Sequence, residues 1–156
     1  MCCDRVTLDI DPLNVEAWQR RAFATLQLRR WNSRAVQETL QITDSGLNID
    51  GFHLPTLRTK AQALIEHGRY SEALSALNLL LTRDPSDVEA MNAKAIAHRH
   101  TQQYTEAVAW HKKAMAADPR SPDLVLHLAL CYFQMATNLP AYHSTSGNNV
   151  TAATAA

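Results

Sequence analysis

Residues 57–85 read LRTKAQALIEHGRYSEALSALNLLLTRDP, and residues 91–119 read MNAKAIAHRHTQQYTEAVAWHKKAMAADP. At an offset of 34, Ala61 falls on Ala95, Tyr70 on Tyr104, Glu72 on Glu106, Ala73 on Ala107, and Asp84-Pro85 on Asp118-Pro119. A second shift carries Ala95 onto Ala129. Ungapped self-similarity at such a period marks stacked supersecondary units. Each unit reads as two helices. Leu57, Ala61, Leu64 and Ile65 keep helical spacing over 55–67, as do Ala73, Leu74, Leu77, Leu80 and Leu81 over 71–82. Gly68 offers the left-handed residue that ends the first helix, and Ser71 caps the second. In the next unit Asp87 caps 88–100 and Thr105 caps 106–117. The prolines after Asp84 and Asp118 then stop the chain, since they have no N–H to donate. Ala61 with Ala73, and Ala95 with Ala107, predict a small-on-small crossing inside each pair. Tyr70 and Tyr104 then fill the wedge between pairs.

The runs Leu57-x-x-Lys60-Ala61-x-x-Leu64, Tyr70-Ser71-Glu72-Ala73, Leu77-x-x-Leu80 and Asp84-Pro85 resemble a tetratricopeptide repeat. So do Met91-x-x-Lys94-Ala95-x-x-His98, Tyr104-Thr105-Glu106-Ala107, His111-x-x-Ala114 and Asp118-Pro119. A third copy starts at Val125-x-x-Leu128-Ala129-x-x-Tyr132 and stops after one helix. Upstream, Asn14-Val15-Glu16-Ala17-Trp18 carries the family's tryptophan after Asp11-Pro12, with Arg21-Ala22 in place of the family's leucine–glycine. The resemblance spans 11–136 and implies an all-α solenoid: three antiparallel helix pairs and a final lone helix in a right-handed superhelix. The expected division is a stub of a preceding unit (1–14), an irregular repeat (15–53), two regular repeats (54–87 and 88–121), a terminal helix (122–136) and a disordered tail (137–156). In the irregular copy Trp31 to Ala35 is one residue longer than Tyr70 to Ala73. There Gly46, Asn48, Asp50 and Gly51 predict a loop over 44–53.

With 156 residues, 46% hydrophobic, the chain has the material for a core, and its 15 basic and 15 acidic side chains leave no general basic field for nucleic acid. Cys2, Cys3 and Cys131 are too few for a disulfide framework and lack histidines at zinc-ligand spacing. The longest apolar run, Leu124 to Ala136, is too short to span a bilayer and is broken by His127 and Gln134. A cytoplasmic protein is expected, with the nucleus as the second compartment; secretion is not, which leaves the sequon Asn149-Val150-Thr151 idle. No carboxylate pair, phosphate loop or nucleophile elbow is present. No enzyme activity, cofactor or metal is therefore expected. His98 and His100 point to different faces of one helix. His98 and His111 stand where the family buries aromatics, and read as packed, hydrogen-bonded histidines.

The resemblance further implies that the first helix of each unit lines a concave face. Its inward residues are Glu16, Gln19, Arg20 and Phe23, then Arg58, Thr59 and Gln62, then Glu89, Asn92, Ala93, Ile96 and Arg99, and last Asp123, His127 and Leu130. Of these, Gln19, Arg20, Phe23, Arg58, Gln62, Asn92, Arg99 and His127 are the candidate peptide-binding set. Arg20, Arg58, Arg99 and His127 form a row of donors for the carboxylates of an acidic peptide. The acidic residues at helix starts are equally explained by the helix dipole, and the whole face equally by solvation. The family's chaperone-tail binders share a Lys-Asn, Asn, Lys-Arg clamp. The corresponding places hold Gln19, Phe23, Thr59, Glu89 and Ala93, or one copy later Arg58, Gln62, Ala93, Asp123 and His127, so neither register supplies it. The last helix is apolar around its axis, and Leu126, Leu130 and Phe133 are its candidate interaction residues. A non-catalytic scaffold or adaptor holding a peptide or partner helix in its groove is the expected function. The alternative is a segment of a homodimer or larger multi-repeat assembly, buried through residues 122–136.

Overall fold

The computed structural model describes residues 11–28 and 33–138. They form seven helices: α1 (Val15–Leu28), α2 (Ser33–Ile49), α3 (Leu54–Glu66), α4 (Tyr70–Arg83), α5 (Val88–His100), α6 (Tyr104–Ala117) and α7 (Pro122–Asn138). No strand occurs among the described residues. The all-α fold of three antiparallel pairs and a last single helix is as the repeat implies. Cys2, Cys3, Trp31 and nearly all of the expected tail lie outside the described residues; Thr137 and Asn138 are the last residues of α7.

Each helix touches its successor, and α1 also touches α3, α3 touches α5, and α5 touches α7. Among the described residues α2, α4 and α6 touch none of one another. A stack whose odd helices meet and whose even helices splay must curve with α1, α3, α5 and α7 inside. The core runs along the stack as linked clusters. Leu26, Val36, Leu40, Ala63, Leu64 and Ala73 tie the first pair to the second. Leu57, Ala61, Leu77, Leu80 and Ala90 tie the second to the third.

The clusters correct the expected crossing. Ala61 and Ala73 are both shut off from solvent, yet they sit in different clusters. A hairpin turning at Gly68 opposes residues about equally far from the turn, so Ala73 meets the Ala63–Leu64 end of α3 while Ala61 belongs with Leu77 and Leu80. At the turn Gly68 is as read, but α4 begins at Tyr70 and α6 at Tyr104, with Arg69 and Gln103 at their caps and no side-chain cap bond, so Ser71 and Thr105 lie inside their helices rather than capping them. Arg69 N–H donates to the Leu64 carbonyl at 2.9 Å and Gly68 N–H to Ile65 at 3.0 Å, a Schellman closure with Gly68 at φ 78°. One unit on, Gln103 N–H donates to His98 and Gln102 N–H to Arg99, with Gln102 at φ 63°. Tyr70 does bridge units: its ring stacks on His100 at 4.9 Å.

The expected loop over 44–53 is overturned, because α2 continues to Ile49 and leaves only 50–53 as a turn. Packing overrides the weak helix propensity of the segment. Thr39 and Thr43 are fully buried with their hydroxyls donating to the carbonyls of Ala35 and Leu40. Gly46 lies where a Cβ would come within 3.3 Å of Trp18 Cβ and 3.6 Å of Thr56 Cγ2. Glycine there serves closeness rather than a turn, since a Cβ would crowd Trp18 of α1 and rest on Thr56 of α3. Asp50 takes the place that Asp84 and Asp118 hold in later units. The side chains of Asp11, Asp50, Asp84 and Asp118 each accept from the backbone N–H two residues on, at 3.0–3.2 Å. The same turn thus precedes α1, α3, α5 and α7.

Candidate protein-binding groove

α5 starts at Asp87, whose Oδ1 accepts from Ala90 N–H at 2.9 Å and whose side chain is almost wholly buried. Its other oxygen takes Arg58 Nη2 at 2.5 Å, and Arg58 Nη1 lies 3.2 Å from Glu89 Oε2. Arg58 therefore cross-braces α3 to the start of α5. Beside this brace the inner helices enclose a cleft of about 580 Å³, walled by α1 (Gln19, Phe23), α3 (Pro55, Arg58, Thr59, Gln62, Ile65, Glu66) and α5 (Glu89, Asn92, Ala93, Ile96). Phe23, 47% exposed, and the half-buried Ile65, Ala93 and Ile96 make its apolar surface. One guanidinium and two carboxylates, Arg58 against Glu66 and Glu89, are its formal charges.

Of the candidate set, Gln19, Phe23, Arg58, Gln62 and Asn92 share this cleft, while Arg20, Arg99 and His127 do not line it. Arg20 pairs with Glu16 at 3.4 Å along the exposed side of α1. Arg99 reaches Gln134 of α7 at 3.4 Å, and His127 Nδ1 lies 3.0 Å from Asn92 Oδ1. The four expected carboxylate donors are thus engaged within the chain, three of them as links between successive inner helices. Sequence reading missed Pro55, Ile65 and Glu66 as lining residues and the Arg58–Asp87 brace. Ile65 was findable: it stands 34 before Arg99, a position already placed on the inner face.

The histidines divide by burial. His98 is half-buried, with its Nδ1 2.6 Å from Gln103 Oε1. His111 is fully buried against His127, ring centroids 5.7 Å apart, but neither of its ring nitrogens has a hydrogen-bond partner. The expected hydrogen bond is absent because α6 delivers this ring into a position that Leu77 fills one unit earlier. Burial first, then the nearby His127 and Arg99, push its pKa down to about 4. His127 and His100 are lowered for the same leading reason, and burial raises the Cys131 thiol, which leaves it protonated.

Residues 58–122 match the tetratricopeptide-repeat family model. That segment carries tetratricopeptide repeats. Solved repeat proteins superpose on it widely. MamA 41-end from Desulfovibrio magneticus RS-1 aligns with TM-score 0.74 at 19% identity, over 83% of this chain and 70% of that one. The first repeat domain of human RPAP3 aligns with TM-score 0.72 at 15% identity, over 79% and 93%. The first repeat domain of Spaghetti (RPAP3), bound to the HSP90 peptide SRMEEVD, aligns with TM-score 0.71 at 15% identity, over 78% and 93%. At such identities the likeness is one of fold. No curated protein matches the chain in sequence. The repeat groove holds all five positions of the first clamp register, Gln19, Phe23, Thr59, Glu89 and Ala93, and none carries a basic side chain. No helix among the described residues is long and apolar enough to cross a membrane.

Proposed function

We propose that the chain is a non-catalytic protein-interaction module, a scaffold or adaptor segment that holds a peptide or partner helix in the cleft of α1, α3 and α5. The observation that carries this reading is one concave cleft of about 580 Å³ built from three successive units, with apolar side chains presented among polar ones. A structural neighbour binds a peptide, which supports the class of ligand. The ligand chemistry differs from an acidic tail. Arg58 is already met by Asp87 and Glu89, and the cleft carries more carboxylates than cations. The fitting peptide is neutral or basic and anchors one apolar side chain among Phe23, Ile65 and Ile96. With three cysteines in the whole chain and Cys131 held as a buried free thiol, a reducing compartment suits it, cytoplasmic or nuclear.

The test is selection of peptides on the intact chain from a random library, followed by anisotropy titration against variants. Ile96→Glu should weaken selected peptides at least tenfold, while Arg20→Glu, outside the cleft, should not. Peptides that bind Ile96→Glu undiminished, or a selected pool dominated by acidic termini, would exclude this reading.

A further inference from the structure

In the two complete hairpins after the first, the inner helix is covered by its own second helix. Leu57, Ala61 and Leu64 of α3 are buried, as are Met91 and Ala95 of α5. The equivalent residues of α7, at the same offset of 34, are Val125, Ala129 and Tyr132, and all three are exposed. Leu126, Leu130 and Phe133 continue the open face, at 57, 37 and 67% exposure. The bare arc covers about half the circumference of α7. Its ionisable rim is Asp123 at one end and Lys112 of α6, 6.0 Å from the Tyr132 ring, at one side.

We propose that this face pairs with the same face of a second copy, two α7 helices lying antiparallel about a two-fold axis. Three features select that occupant. From Leu124 to Asn138 the helix carries no acidic side chain, no lysine and no arginine, so self-apposition meets no like-charge repulsion and offers a charged partner nothing to pair with. Leu130 is the midpoint of the 17-residue helix, so a two-fold between Ala129 and Leu130 overlaps both helices along all but one residue. That register sets Ala129 against Leu130 of the second copy, small against large, and Leu126 against Phe133. The surface is also of the right order. Half the wall of a helix of this length is on the order of 400 Å² per copy. The roughly 800 Å² buried in total falls below the standard interface and suits a weak, transient dimer, to be sought at high concentration.

Sedimentation of the full chain from about 2 to 500 μM, under reducing conditions, tests this. A reversible monomer–dimer equilibrium is expected, weakened at least tenfold by Leu126→Glu or Phe133→Lys. Both side chains are exposed, so the helical circular dichroism should not change. The double variant Leu126→Glu/Phe133→Lys sets opposite charges across the two-fold and should recover part of the lost association; no recovery would overturn the antiparallel register. A monomer throughout the range overturns the proposal. So does a dimer indifferent to both single variants, or one seen only after residues 139–156 are deleted, which would make that segment the occupant.

Discussion

At the residue scale the interior is least regular at His111. Its counterpart Leu77 is equally buried, but His111 brings two ring nitrogens with no partner. The consequence for stability has a definite sign. Burial holds the folded pKa near 4 against an ordinary 6.5, so between those values the unfolded chain binds more protons. Stability is complete above about pH 6.5, falls as pH drops through the window, and levels off below about 4. The loss is roughly 1 kcal/mol by pH 5.5 and 2–3 kcal/mol by pH 4.5. Urea titrations at pH 7.5, 5.5 and 4.5 should show it, and His111→Leu should flatten the dependence by that amount while stabilising the neutral-pH protein. An unchanged slope in His111→Leu would mean that other groups carry it. Arg58 gives the second residue-scale prediction. Arg58→Ala leaves the buried Asp87 carboxylate without its guanidinium and should cost about 1–2 kcal/mol, the partly exposed arginine keeping the figure modest. Asp87→Ser keeps a capping oxygen and removes the charge, so in that background Arg58→Ala should cost little. The family resemblance put Arg58 on an inner face, and in the structure it lines the cleft. The resemblance could not show that the face is shared with the next helix start, since periodicity reports a direction and not a neighbour.

At the element scale the hairpin turns separate what the chain pattern reveals from what it hides. The left-handed position after α3 was legible because glycine occupies it, whereas after α5 the same conformation is held by Gln102. A side chain there strains the backbone, and the only available inference was from the offset of 34 to Gly68. Gln102→Gly should therefore raise stability by about 0.5–1 kcal/mol, the relief of strain exceeding the added freedom of the unfolded chain. Gly68→Ala should lower it by about 1 kcal/mol through backbone strain alone, since a Cβ there meets nothing within 4 Å. Thermal unfolding of the two variants checks both signs. The segment 44–53 shows the opposite failure. Its glycines, asparagine and aspartate suggested a loop, but Gly46 is a packing residue between α1 and α3, and only Asp50-Gly51 makes the turn. Glycine for conformation and glycine for closeness look alike in one dimension.

At the scale of the whole molecule, the repeat made the architecture readable and left the groove half-readable. Small residues recurring at one offset dictate a stack, and the stack decides which helices lie inside. The partition of inner side chains between ligand surface and unit-to-unit bracing depends on lengths and angles that no spacing encodes; Asn92 contributes to both, lining the cleft and meeting His127. The same quasi-one-dimensional build governs how the molecule opens. Each helix gains stability from its own hairpin and from adjacent units alone, so protection should follow position along the stack. The pairs α3–α4 and α5–α6 have neighbours on both sides, whereas α7 contacts α5 and α6 and leaves its outer face bare. Hydrogen exchange at a few micromolar should accordingly be slowest in α3 to α6 and fast in α7. Raising the concentration above about 100 μM should slow α7 selectively if its face is taken up by a second copy, and leave α1 unchanged. Equal protection of all the helices at low concentration would instead show that the array opens as one cooperative block, with the bare helix no weaker than the rest.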